Sequence, residues 1–169
     1  MKTSIVGLIV GLSLLAIAVT AVTAKTGDLV VINGGTGAVV RVDSATGAQT
    51  LITTITGGTP QDVALEASGT LLVTMYSCCP NGNYSGTVIR VDPATGSQVI
   101  LSSGGLLCSA DGVAVAKDGT IVIADGCSAA PLIQIDPGTG AQVAVPVSAD
   151  GLLSFPNGVV VMPAKSGKP

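Results

Sequence analysis

The sequence contains no histidine and no tryptophan, and only two tyrosines and one phenylalanine occur among its 169 residues. Without histidine, the chain lacks the usual general base and the usual side-chain ligand of transition metals. Ser-His-Asp triads, Cys-His pairs and histidine-zinc sites are therefore excluded within this chain. The scarcity of aromatic rings also removes the stacking surfaces with which proteins bind single-stranded nucleic acid.

Charged residues are scarce too, with seven Lys and Arg against ten Asp and Glu. At the N-terminus, Lys2 is followed by the apolar run SIVGLIVGLSLLAIAVTAV, and Val22 and Ala24 suit the −3 and −1 positions of a cleavage site. We expect residues 1–24 to be a cleaved signal peptide, the alternative being a retained membrane anchor. Removal of Lys2 leaves six basic and ten acidic residues, a net charge of −4. We therefore predict a secreted, periplasmic or extracellular protein that binds no nucleic acid and, once cleaved, no membrane.

Three segments of the chain repeat one another: RVDSATGAQ from Arg41, RVDPATGSQ from Arg90 and QIDPGTGAQ from Gln134. A run of strand-forming residues that follows a glycine precedes each segment, and QDVALEASG and ADGVAVAKDG precede those runs in the second and third repeats. Each full repeat thus reads as four short strands, a to d. The Asp-x-x-Thr-Gly sequence between strands c and d predicts a tight turn, in which Asp43, Asp92 and Asp136 are structural.

A unit of about 40 to 50 residues with four strands predicts an all-β fold, namely a β-propeller with four-stranded blades. Residues 25–169 supply three such blades. The stretch FPNGVVVMP, residues 155–163, reads as an additional a strand, and the first repeat lacks its own a strand. We therefore predict that the C-terminal strand closes the first blade.

Three blades are fewer than the four to eight of closed propellers. We expect a six-bladed homodimer, in which each C-terminal strand completes the first blade of the partner. The alternatives are a fragment of a longer propeller and, least favoured, a strained closure of three blades within one chain.

The third repeat contains Asp-Gly-Val-Ala-Val from Asp111 and Gly-Thr-Ile-Val-Ile-Ala-Asp from Gly119, and Pro-Asn-Gly-Val follows from Pro156. In these motifs the sequence resembles NHL-type β-propellers. Within these propellers the sequence is most similar to the gluconolactonase (senescence-marker-protein) and streptogramin-lyase groups, over about residues 27–163. The gluconolactonase group implies a metal-dependent lactone hydrolase. Streptogramin lyases rely on histidine, which this chain lacks.

Three polar residues, Asp62, Asp111 and Asn157, each precede a predicted inner strand, so the antiparallel order places them at the mouth of the central channel. In a homodimer they would form a ring of four carboxylates and two amides, whose oxygens suit Ca²⁺ or another divalent cation. The alternative is that they cap the loops that enter the inner strands. Asp125, at the end of its strand, is predicted to bind loop amides.

The resemblance also implies metal ligation for these residues, because gluconolactonase-type propellers bind a divalent metal through the Asp or Asn of a Pro-Asp/Asn-Gly motif. Asn157 matches that motif fully, whereas Asp111 follows an alanine and Asp62 precedes a valine. The group also uses a metal-binding glutamate near the chain start. The single glutamate of this chain, Glu66, lies instead in an a strand.

The four cysteines, Cys78, Cys79, Cys108 and Cys127, map to neighbouring loops of the second and third repeats. An even number of cysteines in an exported chain favours disulfides. We expect two bridges that join Cys78 and Cys79 to Cys108 and Cys127, in either order. A vicinal Cys78–Cys79 bond and a tetrathiolate zinc site are the alternatives.

The loop at residues 76–86 has the composition of a recognition loop, with Tyr76, Asn81, Asn83 and Tyr84 as its candidate binding residues. Two functions follow from these patterns. The favoured one is a secreted binding module that contacts a small molecule or an extracellular protein on the face of the d–a and b–c loops. The alternative is a metal-dependent hydrolase of the lactonase type.

Overall fold

A computed structural model describes residues 27–78 and 83–163, and these residues form eleven β-strands and no helix. The strands make three antiparallel sheets, which confirms the predicted all-β class. Sheet 1 has three strands: β1 (Leu29–Ile32), β2 (Ala38–Val42) and β3 (Gln49–Thr54). Sheet 2 has four: β4 (Thr59–Leu65), β5 (Leu71–Cys78), β6 (Tyr84–Val91) and β7 (Gln98–Ser103). Sheet 3 also has four: β8 (Ala110–Val115), β9 (Ile121–Asp125), β10 (Leu132–Ile135) and β11 (Gln142–Ala144).

Strand order within every sheet follows the chain, as the repeats predict. Sheets 2 and 3 each contain the four strands a to d, whereas sheet 1 begins with its b strand. In the described part of the chain, no helix is long and apolar enough to cross a membrane. The predicted signal peptide, residues 1–24, lies outside the described residues.

The turn between strands c and d is the same in all three sheets. Its aspartate accepts a hydrogen bond from the backbone N–H two residues ahead, at 2.9 Å for Asp43, 2.8 Å for Asp92 and 2.9 Å for Asp136. The glycine that ends the turn has a positive φ, which is 74° at Gly96 and is accessible to glycine without steric cost. The three aspartates are structural, as predicted.

The core consists of two apolar layers that lie between the sheets. Between sheets 1 and 2, Val39 and Ile55 pack against Leu71, Val73 and neighbouring side chains. A second layer between sheets 2 and 3 is formed in the same way by Leu72, Val88, Leu107, Ala110, Val113, Ile121, Ile123, Ile133 and Ile135. Sheet 2 therefore lies in the middle of a row of three sheets.

The C-terminal segment, residues 156–163, forms no strand in the structure. The backbone of residues 157–159 packs on Gly112 near the start of β8, and residues 161–163 adjoin residues 116–118 just beyond its end. The segment thus runs beside β8 and in the same direction, at the opposite end of the row from β1. The predicted closure of the first repeat is consequently not met within one chain.

Candidate functional site

A pocket of ≈ 360 Å³ lies at one end of sheets 2 and 3. The starts of β4 and β8, the ends of β5 and β9 and the loops beyond them meet there. This end carries the d–a and b–c loops, on which the sequence predicts ligand contact. The side chains and backbone of nine residues line the pocket: Gln61, Tyr76, Tyr84, Ser109, Asp111, Gly126, Cys127, Phe155 and Asn157.

Two β-bulges deliver polar side chains to this pocket. The pairing of β4 with β5 skips Gln61, and the pairing of β8 with β9 skips Asp111. A bulge re-aims the side chain of the extra residue relative to its strand. Gln61 and Asp111 are therefore structural equivalents, and both line the pocket. Asn157, which occupies the corresponding position of the Pro-Asn-Gly motif, lines it too.

Asp62 lies one residue beyond the bulge of β4 and serves a different purpose. Its Oδ2 accepts the backbone N–H of Val113 at 2.9 Å, and its Oδ1 accepts the N–H of Val63 at 2.8 Å. Asp62 thus ties sheet 2 to sheet 3 and does not line the pocket. The structure brings together Asp111 and Asn157 from the predicted set, with Gln61 rather than Asp62 beside them.

The residue Asp111 is only 9% exposed. Ser109 donates its hydroxyl hydrogen bond to Oδ1 and Gly126 donates its backbone N–H to Oδ2, both at 2.9 Å. Burial raises the pKa of Asp111 above its usual value, the charge of nearby Asp125 adds to that rise, and the two hydrogen bonds oppose it. The carboxylate of Asp111 therefore binds a proton more tightly than the carboxylate of an exposed aspartate does.

Asp125 holds the two loops that border the pocket. Its side chain is 1% exposed. Oδ2 accepts the N–H of Cys108, and Oδ1 accepts those of Ser109, Cys127 and Ser128, all between 2.9 and 3.2 Å. The prediction that Asp125 binds loop amides is confirmed.

A disulfide joins the same two loops, between Cys108 and Cys127, whose Cα atoms are 5.6 Å apart. The predicted bridges from these two residues to Cys78 and Cys79 are therefore wrong. β8 and β9 are antiparallel neighbours, so the loop before β8 and the loop after β9 leave the sheet at the same end and meet there. Cys78 is the exposed last residue of β5, and Cys79 lies outside the described residues.

Three aromatic residues, Tyr76, Tyr84 and Phe155, are among those that line the pocket. The rings of Tyr76 and Tyr84 meet edge to face, with centroids 5.5 Å apart. Phe155, which the sequence analysis missed, is exposed at the rim with a φ of 52°. Of the other predicted loop residues, Asn83 is exposed, and Asn81 lies outside the described residues.

The charges around the pocket are sparse. None of the nine lining residues, as the described part of the chain defines them, is lysine or arginine. Glu66, the one glutamate, is engaged elsewhere in a two-pronged ion pair with Arg90, whose Nε and Nη2 donate to its carboxylate at 2.8 and 2.7 Å. Glu66 therefore does not contribute to the pocket.

Oxygen ligands for a divalent cation are present in the pocket. Gln61, Asp111 and Asn157 offer two amide oxygens and a carboxylate, which are the donors that hard cations such as Ca²⁺ take. They fit such an ion in kind, although Ca²⁺ takes six to eight oxygens. The group of Cys108, Asp125 and Cys127 also lies close together, but its sulfurs are bonded to each other and its carboxylate is engaged by amides.

Comparisons with known proteins bear on the fold. No protein-family model and no curated protein matches the sequence. Among solved structures, a proposed 6-phosphogluconolactonase from Bacteroides fragilis has a TM-score of 0.51 at 14% identity, over 76% of this chain and 37% of that one. A proposed 6-phosphogluconolactonase from Bacteroides uniformis has a TM-score of 0.46 at 16% identity, over 68% of this chain and 34% of that one. The chain thus spans about a third of the length of these structures, and the first likeness supports the fold alone.

Proposed function

We propose that the three sheets are consecutive blades of a β-propeller and that the pocket at their end hydrolyses a small uncharged lactone. The a-to-d strand order and the two apolar layers between successive sheets support the propeller. The observation that carries the hydrolase is Asp111, a largely buried residue with a raised pKa in a polar pocket.

Asp111 is the general base of the proposed reaction. Its ionised carboxylate takes a proton from a water molecule, whose oxygen attacks the carbonyl carbon of the lactone. The bond between that carbon and the ring oxygen then breaks, and the proton returns from Asp111 to the ring oxygen, so that one water and one lactone give one hydroxy acid. The raised pKa makes Asp111 a stronger base than an exposed aspartate. Ser109 and Gly126 keep the carboxylate in place through their hydrogen bonds.

The lining residues favour an uncharged, polyhydroxylated substrate. The B. fragilis structure carries the name of an enzyme for a phosphorylated lactone. A phosphate calls for lysine or arginine, and the lining residues described here include neither. The Nε2 atom of Gln61 donates to the carbonyl oxygens of Thr59 and Pro60, which leaves its Oε1 to accept a substrate hydroxyl. Tyr76 and Tyr84 offer apolar surface for the ring carbons.

As an alternative to the general-base role of Asp111, a divalent cation held by Gln61, Asp111 and Asn157 would polarise the lactone carbonyl as a Lewis acid. Asp111 would then gain a positive neighbour, and the energetic cost of its burial would fall. Melting curves with added CaCl₂ or EDTA therefore test this part separately: we expect Ca²⁺ to raise Tm in the parent and not in Asp111→Asn.

The test of the hydrolase is a lactonase assay on glucono-δ-lactone, with its 6-phosphate for comparison. We expect turnover of the uncharged lactone and a loss of about 10² to 10⁴-fold in Asp111→Asn, the usual contribution of a general base. Asp118→Asn, in an exposed turn, is the matched control and should keep full activity. Absence of turnover in the parent protein, or full activity in Asp111→Asn, would refute the assignment.

Ligand binding without hydrolysis is the second candidate, and the aromatic lining residues Tyr76, Tyr84 and Phe155 favour it. In that case sugars or sugar acids should bind to the parent protein and to Asp111→Asn alike, as measured by titration calorimetry, while no lactone is turned over. Tyr76→Ala should weaken such binding. If no sugar or sugar acid binds the parent, this candidate is wrong.

A further inference from the structure

We propose that the outer face of sheet 1 binds sheet 3 of a second copy of this chain, and that residues 158–163 of that copy add to β1 as the missing fourth strand. Two such contacts would close a ring of six sheets, with a central channel lined by both copies. The proposal rests on the sheets and not on the chemistry of the pocket, so it stands or falls independently of the hydrolase.

Sheet 1 exposes side chains whose counterparts in the other two sheets are buried. Leu29 and Val31 of β1 are 56% and 49% exposed. Their counterparts in β5, which lie two and four residues after the glycine that opens the strand run, are Leu71 and Val73, which are 2% and 0% exposed. In β9 the counterparts are Ile121 and Ile123, and they are also fully buried. Sheet 1 covers the pair in β5, and sheet 2 covers the pair in β9, whereas no sheet precedes sheet 1 among the described residues.

The neighbouring strand shows the same contrast. Val40 and Val42 of β2 face the same side and are only partly buried. Their counterparts are fully or almost fully buried in sheet 2, as Ile89 and Val91, and in sheet 3, as Ile133 and Ile135. The outer face of sheet 1 therefore repeats an interface that the chain builds twice, with the covering sheet left out.

The c–d turn extends this interface to the rim. Gly96 of sheet 2 packs closely on the carbonyl of Ile52 in β3, and Gly140 of sheet 3 packs in the same way on Leu101 in β7. Gly47, the equivalent in sheet 1, has open space where those carbonyls would be. By the same repeat positions, Val145 beyond β11 is the residue that would meet Gly47 of a second copy.

The adjacent glutamine also repeats. Gln98 donates its Nε2 hydrogens to Thr53 Oγ1 and the Thr54 carbonyl across the first interface, at 2.8 and 3.0 Å. Gln142 donates to Ser102 Oγ and the Gly104 carbonyl across the second, at 2.9 and 3.0 Å. Gln49 is their equivalent and is exposed. The polar rim of the interface is thus repeated as well as its apolar centre.

The C-terminal segment of one copy is the proposed partner of strand β1 in the next copy. It runs beside β8 as the inner strand of a following sheet would, and Val160 in it is 76% exposed. β1 is the edge strand of sheet 1, which has no inner strand among the described residues, and such an edge readily pairs with another chain. The registers of β4 with β5 and of β8 with β9 are identical in repeat positions. Transferred to the missing pair, they align Val159 with Val31, Val160 with Val30 and Val161 with Leu29.

A second copy of the chain matches these features. Inside the chain, Leu71 and Ile121 are each covered by the preceding repeat, so the surface that would cover sheet 1 in the same way is another repeat of this chain. The contact joins sheet 3 of one copy to sheet 1 of the next, so it is head to tail, and such contacts make a closed ring when their rotation permits. Two copies give six sheets, which lies within the four to eight of closed propellers. The described residues of a single copy cover neither half of this contact.

The decisive experiment mixes two variants that each carry one added cysteine, Leu29→Cys and Val161→Cys, under mild oxidation. Residues aligned on neighbouring antiparallel strands are close enough for a disulfide. We expect a dimer-sized band on a non-reducing gel from this mixture, and much less from a mixture of Val30→Cys with Val161→Cys, whose side chains point to opposite faces. The parent protein alone gives the background from its own cysteines.

Sedimentation of the full chain complements the cross-link and does not require a variant to fold. We expect the mass of two copies at micromolar concentration. A monomer at every concentration tested would overturn the proposal. An open series of larger species would also overturn it. In the cross-linking experiment, a monomer-sized cross-linked product from the double variant Leu29→Cys/Val161→Cys would overturn it too, because that product would show closure within one chain.

Discussion

At the scale of single residues, three aspartates at one end of sheets 2 and 3 carry out three different tasks. Asp62 binds a backbone amide of the next sheet, Asp125 organises two loops, and Asp111 faces the pocket. The role of Asp125 could be predicted from the sequence, because an aspartate between a strand and a Gly-Cys-Ser loop commonly binds loop amides. The divergence of Asp62 from Asp111 could not, because it depends on which residue is skipped by a bulge.

The substitution Asp125→Asn tests the loop-binding role. The amide N–H₂ group of the new side chain would face one of the backbone N–H groups that now donate to the carboxylate, so that hydrogen bond would be lost. The negative charge that strengthens the remaining hydrogen bonds would be lost as well. We expect the free energy of unfolding to fall by roughly 2 to 4 kcal/mol in urea titrations, since hydrogen bonds to charged groups contribute about 1.5 to 3 kcal/mol each. Asp118→Asn, in an exposed turn, is the control, and equal stability losses in the two variants would contradict the assignment.

Asp111 predicts a pH dependence opposite to that of Asp92 and Asp136, because hydrogen bonds within their turns hold the pKa values of those two carboxyls below the usual value. The pKa of Asp111 is raised in the folded protein, so the folded state binds the proton more tightly than the unfolded state does. Its contribution to stability is therefore fully present below the unfolded pKa of about 3.9 and is lost as the pH rises through the folded pKa. Asp111→Asn should be at least as stable as the parent at pH 7 and should lose that advantage at pH 3. Urea titrations at both pH values measure the free energy of unfolding of the variant minus that of the parent. A smaller difference at pH 7 than at pH 3 would contradict the prediction.

At the scale of elements, the sequence predicts the strands well and their irregularities poorly. All eleven strands lie in runs that the repeats identify, because alternating or continuous apolar residues between glycine-rich turns are a strong signal. The bulges that place Gln61 and Asp111 at the pocket leave no such pattern. Counting backwards from Gly69 and Gly119 would have aligned these two residues and assigned Gln61, rather than Asp62, to the pocket. The cysteine pairing was missed because the number of cysteines does not determine connectivity.

The disulfide is the element-scale feature with the clearest expected effect. It closes a loop between residues 19 apart, which contains β8 and β9. A loop of this length corresponds to about 3 kcal/mol of stabilisation in the chain-entropy treatment. We expect the double variant Cys108→Ser/Cys127→Ser to lose about that much in urea titrations at pH 7. Because Asp125 still holds both loops, the variant should fold, and an unchanged free energy of unfolding would show that the bond does not constrain the unfolded chain.

At the scale of the whole molecule, the three sheets form a row with two unlike ends. Among the described residues, one end exposes the apolar face of sheet 1, and at the other end the C-terminal segment runs beside β8 without forming a strand. The sequence predicted the parts of this arrangement, namely three repeats and one additional strand. It could not predict where the additional strand lies, because its contact with Gly112 joins residues far apart in the chain that no local pattern connects. Within the described residues, the segment lies beside β8 and not beside β1.

The proposed association between copies makes stability depend on protein concentration, because the dissociated copy leaves the face of sheet 1 in water. A tenfold increase in concentration is worth about 1.4 kcal/mol, which corresponds to a rise in Tm of roughly 2 to 6 °C for a chain of this size. Val31→Asp places a charge in the centre of the proposed interface and should both lower Tm and abolish its dependence on concentration. Val99→Asp, at a valine of β7 that is at least as exposed but lies outside the proposed interface, should melt like the parent. Equal behaviour of the two variants would mean that the face of sheet 1 is simply exposed, since a surface that binds a second copy cannot accept a buried charge without loss of the contact.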